Sequence, residues 1–148
     1  MPAPLCCPTA ALDIILMLAS HPPRPEVVCL LLDTNHRGQS SFVVTDAPRD
    51  LTKLTSSITR VCAELPWVRA VVLACCSPGG GYLPSALEQI AFLDSREQFD
   101  VIGVELLDWF LLDAGRASSL AEATDARPLW RHGSGTATCC SSLDVAPV

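Results

Sequence analysis

Positive charge is scarce in this sequence, and long apolar runs are missing. Lysine and arginine together number 10 of 148 residues, against 16 aspartates and glutamates, for a formal net charge of −6. Because a nucleic-acid surface needs clustered lysine and arginine, this balance argues against a nucleic-acid partner. No stretch of about 18 apolar residues occurs, so no membrane-spanning helix is expected. The apolar residues, 49% of the chain, should be buried in a core or against a partner.

Cysteines are plentiful but are not spaced like a disulfide framework or a zinc site. Six of the eight form adjacent pairs, at positions 6–7, 75–76 and 139–140, and no Cys-x-x-Cys occurs. Neighbouring residues rarely bridge, because disulfide geometry needs more distant Cα atoms. The first nine residues contain no lysine or arginine, and Asp13 interrupts the next apolar stretch, unlike a secretory leader. We therefore expect a reduced, cytoplasmic protein.

The composition divides the chain into three parts. Residues 1–25 are predicted to form a short helix, over 10–20, and a proline-rich linker. Residues 26–113 carry alternating apolar and polar segments and should form the core domain. Residues 114–148 are small and polar, and we expect a C-terminal extension that is mobile from about residue 131.

Apolar runs within the core domain predict its strands. The largely apolar runs at 27–33 and 68–76 are typical of strands buried on both faces. Residues 42–45 predict a strand that forms a hairpin with the first run. Residues 100–112 predict the last strand.

Helical periodicity fills the gaps between these strands. Apolar residues at steps of three and four predict a helix that begins after Asp50 and ends at Pro66. Pro84 or Ser85 should begin another helix, with Leu83, Leu87 and Ile90 on one side. The resulting order predicts an α/β fold, a mixed sheet covered by helices in two or three layers.

A glycine-rich loop after the run 68–76 marks the candidate site. Ligands often bind where buried strands end in such loops, and the following helix directs free N–H groups toward the loop. We therefore predict a binding cleft here. Its residues are Cys75, Ser77, Gly79, Gly80, Gly81, Ser85 and Glu88.

Three segments resemble one known family. Residues 30–37, Leu-Leu-Leu-Asp-Thr-Asn-His-Arg, resemble the first strand and turn of RadC-like JAB/MPN (JAMM) domains. Residues 74–88 resemble the metal motif of these domains, and 103–108 resemble their ending. The resemblance implies a JAB/MPN-type, deaminase-like sandwich with a mixed sheet flanked by helices. Nine arginines against one lysine fit a GC-rich bacterial genome, actinobacterial in type.

The same resemblance implies a degenerate metallopeptidase-like site. In active members two histidines and an aspartate hold zinc, and an upstream glutamate activates the zinc-bound water. The matching positions here are Cys75, Ser77 and Glu88, and no carboxylate matches the base. A neutral serine hydroxyl is a poor zinc ligand, and Cys76 should point away from Cys75. We therefore expect no catalytic residues, no metal and no cofactor.

Three functions remain open on these grounds. The first is a pseudoenzyme that binds a protein or a ligand through the cleft, with a protein partner or as a homodimer. The second is a zinc-dependent, isopeptidase-like metallohydrolase using Cys75 and Glu88, with His36 as a candidate third ligand. The third is a thiol redox or sensor protein in which the helix N-terminus lowers the pKa of Cys75. Otherwise His36 is expected to be solvated in a turn, and Trp109 to pack in the core.

Overall fold

The computed structural model describes residues 4–5, 7–126 and 130. Along the chain the helices and strands are α1 (Pro8–Leu18), β1 (Glu26–Leu32), β2 (Gly38–Thr45), α2 (Leu51–Ala63), β3 (Ala70–Cys76), α3 (Ala86–Val101), β4 (Glu105–Asp113), β5 (Arg116–Ser119) and α4 (Leu120–Ala123). In the described part of the chain, no helix has the length and apolar character needed to cross a membrane.

One mixed sheet contains all five of these strands, in the order β2-β1-β3-β4-β5. β1 is antiparallel to both β2 and β3, while β3 and β4 run parallel and are connected by α3. β4 and β5 are antiparallel. Every residue of β1 and β3 is buried, as expected for strands covered on both faces. The predicted α/β fold with a mixed sheet flanked by helices is confirmed, and it is compatible with a JAB/MPN-like sandwich.

Helices cover both faces of the sheet, which gives three layers. On one face, Cys75 and the other odd-numbered residues of β3 pack against α2, α3 and α4. On the other face, Cys76 and the even-numbered residues pack against Ala11 and Ile15 of α1. Alternation along the strand therefore sends Cys75 and Cys76 to opposite layers. We call the first layer the α2–α3 face and the second the α1 face.

Two boundaries differ from the prediction by four or five residues. The predicted strand 100–112 begins at Glu105, because α3 continues to Val101 and the chain turns at Gly103, whose φ is +75°. Phe92 and Phe99 hold the end of this helix in the core, while Val101 faces solvent. β2 begins at Gly38 rather than at residue 42. Its polar first half pairs with β1 as an edge strand with largely exposed side chains.

Beyond residue 113 the chain continues the sheet. β5 was not predicted as a strand, since its short polar sequence lacks a strand pattern. The predicted mobile tail from about residue 131 lies outside the described residues. The domain boundaries at 25 and 113 stay predictions.

Candidate functional site

The thiol of Cys75 lies inside the α2–α3 face at the end of β3. It is buried, and Nε1 of Trp109 on the neighbouring β4 donates a hydrogen bond to its Sγ at 3.2 Å. Burial raises the pKa of Cys75 to about 12, although Trp109 and the charge of Arg49 act to lower it. The thiol is therefore protonated at neutral pH, contrary to the lowered pKa expected for a sensor thiol. The indole of Trp109 is buried in the core, as expected.

Glu88, the carboxylate at the predicted cleft, is held by an arginine of this chain. Arg49 lies just before α2, and its Nε donates to Oε2 of Glu88 at 2.5 Å while Nη2 donates to Oε1 at 2.9 Å. Both side chains are mostly buried. Such a two-point contact is among the stronger ion-pair geometries.

The start of α3 adds another donor to the same carboxylate. The backbone N–H of Ser85 donates to Oε1 of Glu88 at 3.0 Å, and Oγ of Ser85 accepts from the Glu88 N–H in a reciprocal capping box. Burial acts to raise the pKa of Glu88, but the bonds from Arg49 and Ser85 outweigh it and the pKa is lowered. The negative charge of Glu88 is thus neutralised from within the chain.

The glycine loop closes over Arg49 and is fixed from both sides. Nη1 of Arg49 donates to the carbonyls of Gly81 at 2.5 Å and Gly80 at 3.3 Å. On the other side, Asp113 accepts from the N–H groups of Gly79 at 3.1 Å and Gly81 at 2.7 Å. Gly79 and Gly81 have φ of +81° and +85°, which side-chain-bearing residues rarely adopt. The loop is thus a bonded cap over Arg49.

The residues of this site do not fit the divalent metal that the resemblance implies. Zinc needs deprotonated donors and an open coordination position, whereas the Cys75 thiol is neutral and Glu88 is engaged by a guanidinium. Ser77 adds only a neutral hydroxyl. Arg49 already supplies positive charge at Glu88, so an added cation would be repelled. Among the described residues, no group of three or more His, Cys, Asp or Glu side chains comes together as a possible metal site.

His36 does not join the site. It was expected to be solvated, and this is wrong: its side chain is 1% exposed, and its Nε2 lies 3.3 Å from Oε1 of Glu105. The N-terminal segment covers the turn, since the N–H of Leu5 donates to the His36 carbonyl. Glu105 pairs with Ala70, five residues before Cys75 on β3, which is about 17 Å along a strand. The structure therefore does not bring His36 to Cys75 and Glu88.

Another buried carboxylate, on β4, has a structural role. Asp108 accepts hydrogen bonds from Oγ of Ser119 at 2.6 Å and from the N–H groups of Trp109 and Ala121. Burial raises its pKa, and these donors lower it only in part. Asp108 therefore ties β4 to the start of α4.

Comparison with known proteins gives a distant similarity. The sequence matches no protein-family model. It is 29% identical over 117 residues to a UPF0758 protein from Pseudomonas fluorescens, a match that covers 78% of this chain and 51% of that protein. The chain thus spans about half the length of the curated relative it matches. In sequence, this α/β domain is distantly similar to a UPF0758 protein.

Proposed function

We propose that this chain is a catalytically inactive, RadC-like JAB/MPN domain that binds a protein partner. The UPF0758 proteins are the RadC-like family, so the 29% similarity supports the resemblance seen in residues 30–37 and 74–88. The three-layer fold with its mixed sheet is compatible with it. A cytoplasmic location and an actinobacterial-type origin are parts of the same proposal.

The Arg49–Glu88 contact carries the proposal of inactivity. A zinc hydrolase needs a metal with an open position and a nearby base. Here the guanidinium takes both oxygens of Glu88, and the neighbouring thiol is protonated. The alternative metallohydrolase would need Arg49 to leave, and a third ligand other than His36.

Zinc loading and hydrolysis test this half of the proposal. The purified chain is incubated with Zn²⁺, dialysed, analysed for zinc and assayed with an isopeptide-linked peptide. We expect far less than one zinc per chain and no hydrolysis above the buffer blank. Stoichiometric zinc that is lost on Cys75→Ala and on Glu88→Ala would overturn inactivity in favour of the metallohydrolase.

A matched variant makes the metal test sharper. The combined changes Arg49→Ala, Cys75→His and Ser77→His remove the guanidinium and add two imidazoles at the positions that the resemblance aligns with zinc ligands. This variant should hold zinc, and adding Glu88→Gln should release it. If the folded variant did not hold zinc, this would contradict the proposal that Arg49 keeps zinc from binding at Glu88.

The outer side of α3 supplies the binding surface. Leu87, Ile90, Asp94, Glu97 and Val101 follow each other at steps of three and four, and all are exposed. We call the apolar members, with Leu83 just before the helix, the α3 patch: Leu83, Leu87, Ile90 and Val101 are 69%, 78%, 58% and 85% exposed. Leu83, Leu87 and Ile90 lie close together in the chain, and grouped exposed apolar side chains are found at interaction sites.

Charge complementarity selects the occupant of this patch. Asp94 and Glu97 lie on the same stripe, and the guanidinium of Arg96 is turned over the ring of Phe92, 5.8 Å from its centroid. A second copy of the helix would bring acids against acids, which disfavours the homodimer. The proposed partner is therefore a protein segment that combines apolar and basic side chains.

Peptide binding tests the surface. A labelled amphipathic leucine–lysine peptide should bind the chain, more weakly at high salt, and a leucine–glutamate peptide should not. The pair Leu87→Gln and Ile90→Gln should weaken binding about tenfold or more, whereas Met17→Gln, at an exposed position on α1, should not.

Three results would contradict this surface. They are equal binding of both peptides, an unchanged affinity of the patch variant, or a wild-type dimer in sedimentation that the patch changes dissolve. The last result would assign the patch to a second copy of the chain.

A further inference from the structure

A cavity of about 250 Å³ lies on the α1 face, on the other side of the sheet from Cys75 and Glu88. Its roof is formed by the end of α1 and the linker that follows, including Leu16 and Pro23. Its floor is formed by the ends of three strands, at Glu26, Cys76 and Leu112. The walls are mainly apolar, so water held there makes few hydrogen bonds and is readily displaced.

The floor of this cavity contains a buried carboxylate. Glu26 is 1% exposed, and its oxygens accept hydrogen bonds from the N–H of Ser20 at 2.8 Å and from Oγ of Ser20 at 2.7 Å. Both donors are neutral. Within residues 7–126 no salt bridge involves Glu26. A buried charge of this kind is costly unless an opposite charge reaches it.

The other charged groups around the cavity are solvated or engaged. Arg24 and Arg116 are exposed at its mouth, and Nη1 of Arg116 donates to the hydroxyl of Tyr82 at 2.9 Å. Nε2 of His21 lies 3.3 Å from the Leu16 carbonyl, and Asp113 accepts the two loop N–H groups described above. Solvent screens the charges of the exposed arginines, so the negative charge of Glu26 dominates the electrostatic potential inside the cavity.

We propose that this cavity binds a small apolar amine, whose ammonium group pairs with Glu26 while its hydrocarbon part fills the space between α1 and the sheet. The volume lies just below the range of about 300–1,000 Å³ of sites for larger ligands, which limits the ligand to a small molecule. The site is separate from the α3 patch and does not depend on the proposed function.

A set of three ligands with one hydrocarbon chain tests the proposal. Hexylamine, hexanol and hexanoate are titrated into ¹⁵N-labelled protein, and amide shifts are followed at Ser20, Cys76 and Leu112. Hexylamine should bind about tenfold or more tightly than hexanol, because charge-assisted hydrogen bonds outweigh neutral ones. The proposal would be overturned if hexanol bound as tightly as hexylamine, if hexanoate bound more tightly than both, or if these amides showed no shifts.

Variants separate the charge of Glu26 from the shape of the cavity. Glu26→Gln keeps an oxygen for Ser20 and should remove the preference for the amine. Glu64→Gln, the same change at an exposed position just after α2, should leave the preference intact. Ala19→Leu, in the roof, should weaken hexylamine and hexanol alike. An amine preference that survives Glu26→Gln would refute the role of this carboxylate.

Discussion

Glu88 and Glu26 are two carboxylates near the same end of β3, on opposite faces of the sheet, and the chain treats them differently. Glu88 meets a guanidinium at two points, under a loop whose carbonyls accept from the same arginine. Among the residues that the structure describes, Glu26 accepts hydrogen bonds only from the N–H and hydroxyl of Ser20, beside a cavity of about 250 Å³. On the α2–α3 face the cation is Arg49, and the glycine loop covers it. On the α1 face Glu26 lies beside the cavity and has no cation as its partner among the described residues.

This difference shows how a chain can exclude or admit a ligand with the same residue type. An internal cation satisfies the carboxylate and competes with any external one, at short range and with no loss of translational freedom. Neutral donors satisfy hydrogen bonds but leave the charge without a counter-ion. This contrast supports the proposed inactive site on the α2–α3 face and the proposed small-ligand site on the α1 face.

The largest effect should follow from removing the Arg49–Glu88 ion pair on the α2–α3 face. Arg49→Ala leaves Glu88 without its cation and frees the carbonyls of the loop, so we expect a loss of about 3 kcal/mol in the free energy of unfolding. Urea unfolding measures it. The control Arg60→Ala, at an exposed position near the end of α2, should change stability by less than about 0.5 kcal/mol. Equal losses in both variants would show that the pair is not a strong contact.

Acidification should reduce the difference in the free energy of unfolding between wild type and Arg49→Ala. The folded-state pKa of Glu88 is lowered, so its contribution is present above the pKa of the unfolded chain and is lost as pH falls through the folded value. The stability gap between wild type and Arg49→Ala should therefore be constant near neutral pH and should narrow in the acid range below about pH 4. Unfolding curves over a pH series measure this gap. A gap that widens on acidification would contradict the ion pair.

Two adjacent thiols report the same contrast between the faces. Burial raises the pKa of Cys75 to about 12 and that of Cys76 to about 11, where the charge of Glu26 adds to the rise. Cys76 is also the more exposed, 7% against 1%. At a given pH a larger fraction of Cys76 than of Cys75 should be thiolate, so iodoacetamide should modify Cys76 faster than Cys75.

Mass spectrometry with fragment ions assigns the label within the shared peptide. Both thiols should react more slowly in the folded protein than in urea, where the two rates should become similar. Faster modification of Cys75 than of Cys76 in the folded protein would contradict the closed state of the α2–α3 face. It would favour the sensor function that the sequence left open.

Local patterns predicted the fold, and long-range contacts decided the site. The buried runs of β1 and β3 and the apolar stripe of α2 were visible because each is repeated within a few residues. The end of α3 was missed because Val101 and Ile102 suit a strand as well as a helix. The packing of Phe92 and Phe99 in the core favours the helix at this point, and no local pattern shows that packing.

Arg49 is the clearest example of what the sequence hides. It lies 39 residues before Glu88, in a polar segment ahead of α2, and nothing in its neighbours marks it as the partner of that carboxylate. His36 was misjudged for a similar reason, since it is covered by Leu5 from one side and Glu105 from the other. The residues aligned with a metal motif could be named from sequence, but the arginine that pairs with Glu88 could not.

The smallest effect should come from removing a donor to Glu26 on the α1 face. It tests whether Glu26 is less strongly bound by its partner than Glu88 is. Ser20→Ala removes one hydroxyl donor to Glu26 while the backbone N–H stays, so we expect a loss of about 1 kcal/mol, with Ser40→Ala as an exposed control.

Combining each donor change with a neutral acid, Ser20→Ala with Glu26→Gln and Arg49→Ala with Glu88→Gln, gives two double-mutant cycles. The coupling energy should be clearly smaller for Ser20 and Glu26, because a glutamine can accept from the serine hydroxyl as the carboxylate does, whereas no neutral side chain replaces the attraction between Glu88 and a guanidinium. Equal coupling energies would mean that Glu26 is as fully satisfied as Glu88, and the reason for an amine in the cavity would disappear.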